Sequence, residues 1–147
     1  MPKAPERSED NLLNILTYRD LDVWQRAMQL VKMVYQLTKK LPEDELYALS
    51  NQMRKAAISV PSNIAEGYER NSKTEYIQFL TIAKGSNSEL RTQLMISVDI
   101  EYLAGEDVQE ALDACEEVSK MLSTLIKKLS PGSWPLTPEP WPRSPDS

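Results

Sequence analysis

Two linked segments, QMRKAAISVPSNIAEGYER over residues 52–70 and EYIQFLTIAKGSNSELRTQL over residues 75–94, constrain this chain most. Both repeat their apolar residues at helical spacing. Yet each places small and polar residues on or beside the faces where a helix normally sets its bulkiest apolar side chains. A plain helical core has no use for that pattern, so close helix approach, a buried polar network or a binding surface has to account for it.

The flanking sequence supplies two more helices. Residues 20–40 carry two adjacent apolar stripes, Val23, Ala27, Leu30, Val34, Leu37 and Leu41 beside Trp24, Met28, Val31 and Tyr35. One stripe satisfies a bundle core, whereas two make a face wider than a single packed helix requires, which points to burial against a second partner. Leu41-Pro42 ends this helix, because proline disfavours an α conformation in the residue before it. The next helix is expected to open with Glu43, Asp44 and Glu45 in its first turn, where negative charge suits the dipole. Its stripe reads Leu46, Leu49, Met53, Ala56, Val60 and Ile64. Pro61 falls inside the pattern and is expected to kink the helix, since it removes the amide that would bond the Ala57 carbonyl.

Residues 67–71 read as a turn, and Ser72-Lys73-Thr74-Glu75 is a capping-box pattern for the third helix. Tyr76, Phe79, Leu80, Ala83, Leu90 and Leu94 continue on one face, interrupted by Gly85, Ser86 and Asn87. A mid-helix glycine costs about 1 kcal/mol relative to alanine, so either a close approach of another helix or a bulky neighbour packed over the gap is expected there. Gly105 is the expected left-handed cap. Val108, Leu112, Cys115, Val118, Leu122, Leu125 and Leu129 make the last helix, which Ser130-Pro131-Gly132 stops. Four amphipathic helices with short connections predict an all-α, antiparallel up-down-up-down four-helix bundle over residues 18–129. Residues 1–17 read as a mobile lead-in, and residues 130–147 as a disordered Pro-rich tail. Six of the seventeen residues in 131–147 are proline, and the segment also holds Trp134 and Trp141. It either stays unconstrained or docks, on a neighbouring bundle or as a polyproline-type ligand of another protein.

Composition removes several function classes. A chain of 147 residues can bury one self-sufficient core. With no histidine, it lacks the usual group for acid–base work near neutral pH and for most zinc and di-iron sites. A Gly-rich phosphate loop and a nucleophile elbow are also missing. The reading is therefore non-enzymatic, without cofactor or metal; an enzyme would require a carboxylate–metal site around Glu66 and Glu89. A single cysteine, Cys115, and an N-terminus without an apolar signal region predict a cytoplasmic protein. Cys115 reads as a core residue whose acidic neighbours raise its pKa. No apolar run is long enough to span a bilayer.

Charge is uneven. The chain has 22 acidic and 17 basic residues and a net charge of −5. Residues 18–97 hold 11 basic and 9 acidic side chains, whereas residues 98–118 hold eight acidic and none basic. Nucleic-acid binding ordinarily leaves a basic footprint, so the balance disfavours it, although Arg54, Lys55, Arg70 and Lys73 form a candidate local patch. Gln52, Asn63, Glu66, Ser86, Glu89 and Gln93 are candidates either for a partner or ligand site or for an interhelical network that fixes register.

The two opening segments, with LDVWQRAMQLVKMVYQLTKKLP before them, resemble the bacterial four-helix-bundle proteins first noted as reading frames in intervening sequences of large-subunit ribosomal RNA genes. VPSNIAEG, Phe79-Leu80 and IAKGSNSEL followed by TQL carry the likeness, over about residues 18–103. That family also includes the accessory variability determinant of diversity-generating retroelements. The resemblance implies a homopentamer around a central channel, in agreement with the wide apolar face of the first helix. Trp24, Met28, Val31 and Tyr35 are the expected interface anchors, with Gly85 and Ser86 allowing close approach. The retroelement member is strongly basic and works with a reverse transcriptase and nucleic acid, whereas this chain is acidic. The expected partners are thus further copies of the chain or an unidentified protein, with nucleic acid second.

Overall fold

The computed structural model describes residues 17–130, and the expectations for the lead-in through residue 16 and for the tail from residue 131 lie outside them. Four helices form a bundle: α1 (Asp22–Thr38), α2 (Leu49–Tyr68), α3 (Lys73–Asp99) and α4 (Gly105–Leu129). Short 3-10 turns, Tyr18–Asp20 and Glu43–Glu45, precede α1 and α2. Each helix packs on its neighbours in sequence, and α1 also packs on α4, while the α1–α3 and α2–α4 pairs stay apart. The helices therefore occupy the corners of a square. Side-chain contacts give their sense: Gly67 lies by Phe79 and Ser59 by Ser86, so α2 and α3 run antiparallel.

The core follows the expected stripes closely in α1, where Val23, Ala27, Leu30, Val34, Leu37 and Leu41 are all buried. In α4, Val108, Cys115, Val118 and Leu122 are buried along with Ala111 and Ala114. The second helix departs from expectation at its start. Glu43, Asp44 and Glu45 form their own turn, Leu46 is exposed, and α2 begins at Leu49. Glu45 nevertheless serves that N-terminus: its Oε1 accepts from the Leu49 amide at 3.1 Å while its Oε2 accepts from the Tyr102 hydroxyl at 2.8 Å. The carboxylate thus satisfies an orphan amide and ties the α1–α2 connection to the α3–α4 connection.

Pro61 does not interrupt α2, which is one continuous helix around it. The ring is buried beside α1, where its apolar contact offsets the lost ladder bond. Close by, Asn63 Nδ2 donates to the Ser59 carbonyl at 2.8 Å and to Ser59 Oγ at 2.9 Å. Gly67 is likewise helical rather than part of the turn. A Cβ there would stand 2.7 Å from Phe79 Cβ, a spacing that side chains do not tolerate. Absence of a side chain at Gly67 is what lets α3 approach.

The third helix starts as expected, with Ser72 Oγ accepting from the Glu75 amide at 3.1 Å. It stops earlier. The left-handed residue is Glu101 (φ 68°), and no described glycine has positive φ. The Tyr102 amide reaches the Ser97 carbonyl at 2.9 Å and the Glu101 amide reaches that of Val98 at 2.9 Å, the paired bonds of a Schellman ending. Gly105 instead opens α4, whose Asp107 Oδ2 accepts from the Ala104 amide at 2.9 Å. That bond, assisted by Lys40, holds the Asp107 carboxyl below the usual carboxylate range.

Two substitutions test these backbone assignments by urea unfolding. Gly67→Ala should lower stability by about 1–3 kcal/mol, the usual cost of forcing atoms into a packed contact. Glu101→Gly should raise it by roughly 1 kcal/mol, because glycine adopts the left-handed conformation without the Cβ clash.

Candidate functional site

Two surfaces of the bundle carry apolar side chains that the core does not use. The first is a groove between α1 and α2, about 320 Å³, lined by Tyr18, Trp24, Met28, Val31, Ile58, Pro61, Ser62 and Ala65. The turn before α1 shapes one end of it. Thr17 Oγ1 accepts from the Arg19 amide, Asp20 Oδ2 accepts from the Thr17 amide, and the Tyr18 ring meets Trp24 edge-on at 5.3 Å. Met28 and Ile58 on the rim remain 36% and 41% exposed. The second stripe of α1 thus lines this groove through Trp24, Met28 and Val31. Its fourth member, Tyr35, lies under the Arg54 guanidinium, 4.7 Å from the ring centroid. Arg54 Nε also donates to Thr38 Oγ1 at 2.9 Å, so the guanidinium is fixed at the far end of the groove.

The second surface is the outward side of α3, which periodicity read on one face alone did not disclose. Ile82, Ile96 and Ile100 are 51%, 41% and 49% exposed, and Gly85 and Glu89 lie on the same strip of helix. Apart from its own helix backbone and chain neighbours, nothing among the described residues lies within 4 Å of where a Gly85 Cβ would be. Within the bundle, then, no helix makes the close approach expected at Gly85. Ser86 points differently: its hydroxyl shares a 2.7 Å hydrogen bond with Ser59 Oγ between α2 and α3.

The remaining polar candidates do not meet in one network. Gln52 is exposed. Asn63 turns back on its own helix, Glu66 Oε2 accepts from Arg70 at 2.7 Å, and Glu89 is exposed, with no hydrogen-bond or ion-pair partner among the described residues. Gln93 is buried, with its Oε1 lacking a hydrogen bond. The buried polar links lie elsewhere: Asn87 Nδ2 donates to the Cys115 carbonyl at 2.8 Å, and Ser97 Oγ donates to the Gln93 carbonyl at 3.0 Å. Asn87 was legible only as an interruption of the stripe; its position one heptad after Leu80 is the signal that it faces the core.

The four cations are also dispersed. Arg54 lies in the first half of α2 and Arg70 just beyond its end, and the 14 residues from Arg54 to Tyr68 alone rise about 21 Å at 1.5 Å per residue. Arg70 pairs with Glu66 and Glu75 and lies 4.8 Å from the centroid of the Phe79 ring. Lys55 and Lys73 are exposed. Part of the acidic run on α4 is neutralised by α1 and α3: Arg26 meets Glu117 at 2.6 Å, Arg91 meets Glu116 at 2.7 Å, and Lys40 meets Asp107 at 3.5 Å.

Among the described residues, no group of three or more His, Cys, Asp or Glu could hold a metal ion. Glu66 and Glu89 fall on separate parts of the surface, one engaged by Arg70 and the other beside Gly85. No helix among the described residues is long and apolar enough to cross a membrane. Cys115 is buried, and burial pushes its thiol up to about 12, with Arg91 acting weakly in the opposite sense. The cause differs from the expectation, which placed it in the acidic neighbours on α4.

Residues 19–124 match the model of the 23S rRNA-intervening sequence protein family. This chain belongs to that family. A solved structure described as a protein of unknown function from the S23 ribosomal protein family, from Bacteroides thetaiotaomicron, is 24% identical, with a TM-score of 0.67 over 71% of this chain and 98% of that one. At that identity the likeness establishes the fold. No curated protein matches the chain. Within the intervening-sequence family, then, this member presents a groove and an apolar seam, without a catalytic or metal cluster among the described residues.

Reactivity at the lone cysteine checks this core assignment. An aromatic disulfide reagent at pH 8 should leave Cys115 unmodified in the folded protein and label it fully in urea, because only the thiolate attacks. Rapid labelling of the folded protein would place the thiol outside the core.

Proposed function

We propose that this intervening-sequence family member is a non-enzymatic bundle that assembles with further copies of itself and acts as a scaffold or binding module. The observation that carries the reading is Gly85. A glycine in the middle of a long helix costs about 1 kcal/mol relative to alanine, and here no contact inside the bundle requires it. Half-exposed isoleucines flank it on the same strip. Small residues between apolar ones are what a helix presents when another backbone must come close.

The groove supplies the complementary surface. Its rim offers Met28 and Ile58 beside half-buried Trp24 and Val31. Covering the exposed part of one isoleucine stabilises a complex by roughly 1 kcal/mol, so several such residues are required against the rigid-body entropy lost on association. The α3 seam and the groove are different surfaces of one protomer. A contact between them is head-to-tail, and such contacts close into rings when the rotation permits. The family resemblance favours a pentamer among those rings, and the free, buried Cys115 suits a reducing, cytoplasmic setting. Nucleic acid, the retroelement-like alternative, has less support: the four candidate cations do not gather into one patch, and Arg70 is paired with Glu66 and Glu75.

Light scattering across a dilution series tests the reading. Wild type should have a multimeric mass, Gly85→Leu and Met28→Lys should each lower it, and helical circular dichroism should be unchanged. A wild-type protein that is monomeric throughout, or variants with undiminished mass, would remove self-assembly as its function.

A further inference from the structure

The groove and the α3 seam match in more than hydrophobicity, and the significance of that match rests on the self-assembly reading. At the end of the groove, Arg54 is held by Tyr35 and Thr38 through its ring-facing side and its Nε. Its terminal nitrogens make no hydrogen bond or ion pair in the bundle. A guanidinium fixed in this way presents a planar donor pair with little orientational entropy left to lose. On the α3 seam, Glu89 is an exposed carboxylate that is likewise unengaged among the described residues. It follows Gly85 by one turn, on the same strip as Ile82 and Ile96.

Spacing makes the two surfaces mirror images. Along α2, Arg54, Ile58 and Pro61 are separated by four and then three residues. Along α3, Glu89, Gly85 and Ile82 are separated by four and then three in the reverse direction. At 1.5 Å per residue both sets span about 10.5 Å. Laid antiparallel to α2, a second α3 brings carboxylate to guanidinium, the exposed Ile58 side chain to the open space over Gly85, and Ile82 into the groove beside Pro61 and Met28. A bulky residue meets an absent one, and the unpaired charges meet each other.

We infer that a second copy of this chain docks its α3 seam in the α1–α2 groove, with Glu89 of one protomer paired to Arg54 of the next. The ion pair sets the register along the groove, because a slip of one turn in either direction separates the two charges, placing Arg54 opposite Gly85 or Gln93, and sets Ile58 against Thr81 or Glu89, each larger than glycine. Charge pairing of this sort contributes more to specificity and register than to raw affinity.

Exchange of the two charges in the full-length chain tests the pairing. Arg54→Glu and Glu89→Arg should each shift the midpoint of assembly, read as mass against concentration, by about tenfold or more, and the double variant should recover most of the loss. Because Arg54 also packs on Tyr35, a second cycle uses Arg54→Met, which keeps the apolar stem, with Glu89→Gln; the pair together should lose no more than either alone. Glu89 makes no hydrogen bond or ion pair within the bundle, so its variants keep their fold. Single variants that assemble as wild type, or an exchange that restores nothing while Gly85→Leu still dissociates the protein, would overturn the pairing and leave self-assembly standing. A wild type that never assembles would overturn both, and would give the groove to a different protein.

Discussion

The approach of α3 to α2 at Gly67 governs how closely the two helices pack along their shared length. With no side chain at that position, the α3 backbone near Tyr76 and Phe79 comes closer than a Cβ would permit. That closeness continues upward, where Ser59 and Ser86 share a hydrogen bond and Ser97 donates to Met53 Sδ at 3.5 Å. Small residues thus line the α2–α3 contact. Packing is dense in protein interiors, so a helix drawn in on one side presents a defined strip on the other. On α3 that strip holds Ile82, Gly85, Glu89 and Ile96.

The same economy of space explains the division between buried polar groups and surface charge. Asn87 and Gln93 each leave a side-chain carbonyl without a partner in the core. An unsatisfied buried acceptor costs on the order of 1–3 kcal/mol, which the apolar residues around it must outweigh. Cations on the surface are mostly local in their effect, with Arg26, Arg91 and Lys40 drawn to the acidic α4. Exposed pairs such as these contribute little to stability. They do leave α1 and α3 with fewer uncompensated cations. Among the described residues, Arg54 and Glu89 stand apart from that pattern, one held in place without a carboxylate and the other without a cation.

Much of the fold was legible because helical spacing in α1 and α4 is unambiguous: the core stripe from Val23 to Leu41 and that from Val108 to Leu122 both hold. The misplacements share a physical cause, which is that tertiary packing overrides local signals. Gly67 reads as part of the turn, yet its close contact with α3 keeps it inside α2. Gly105 reads as the helix cap, but the chain turns at Glu101, four residues earlier, because the Ser97 and Val98 carbonyls are satisfied there. For the candidate site, the groove residues Trp24, Met28 and Val31 were visible as a second stripe. Ile82, Ile96 and Ile100 were not, because α3 is apolar on two faces and a search for one face averages them away.

Contact between two unlike surfaces has polarity, and polarity has a consequence for the rest of the chain. Copies related by rotation alone carry every equivalent atom to the same height on the axis. In this bundle α4 ends at Leu129, on the end where Tyr18 and the start of α1 also lie. A ring would therefore set the Leu129 end of every copy at one rim. A motif too weak to hold a partner singly gains avidity when several copies share a rim, since each further engagement is intramolecular. The valency of the ring would then decide how tightly a multivalent partner is held at that rim.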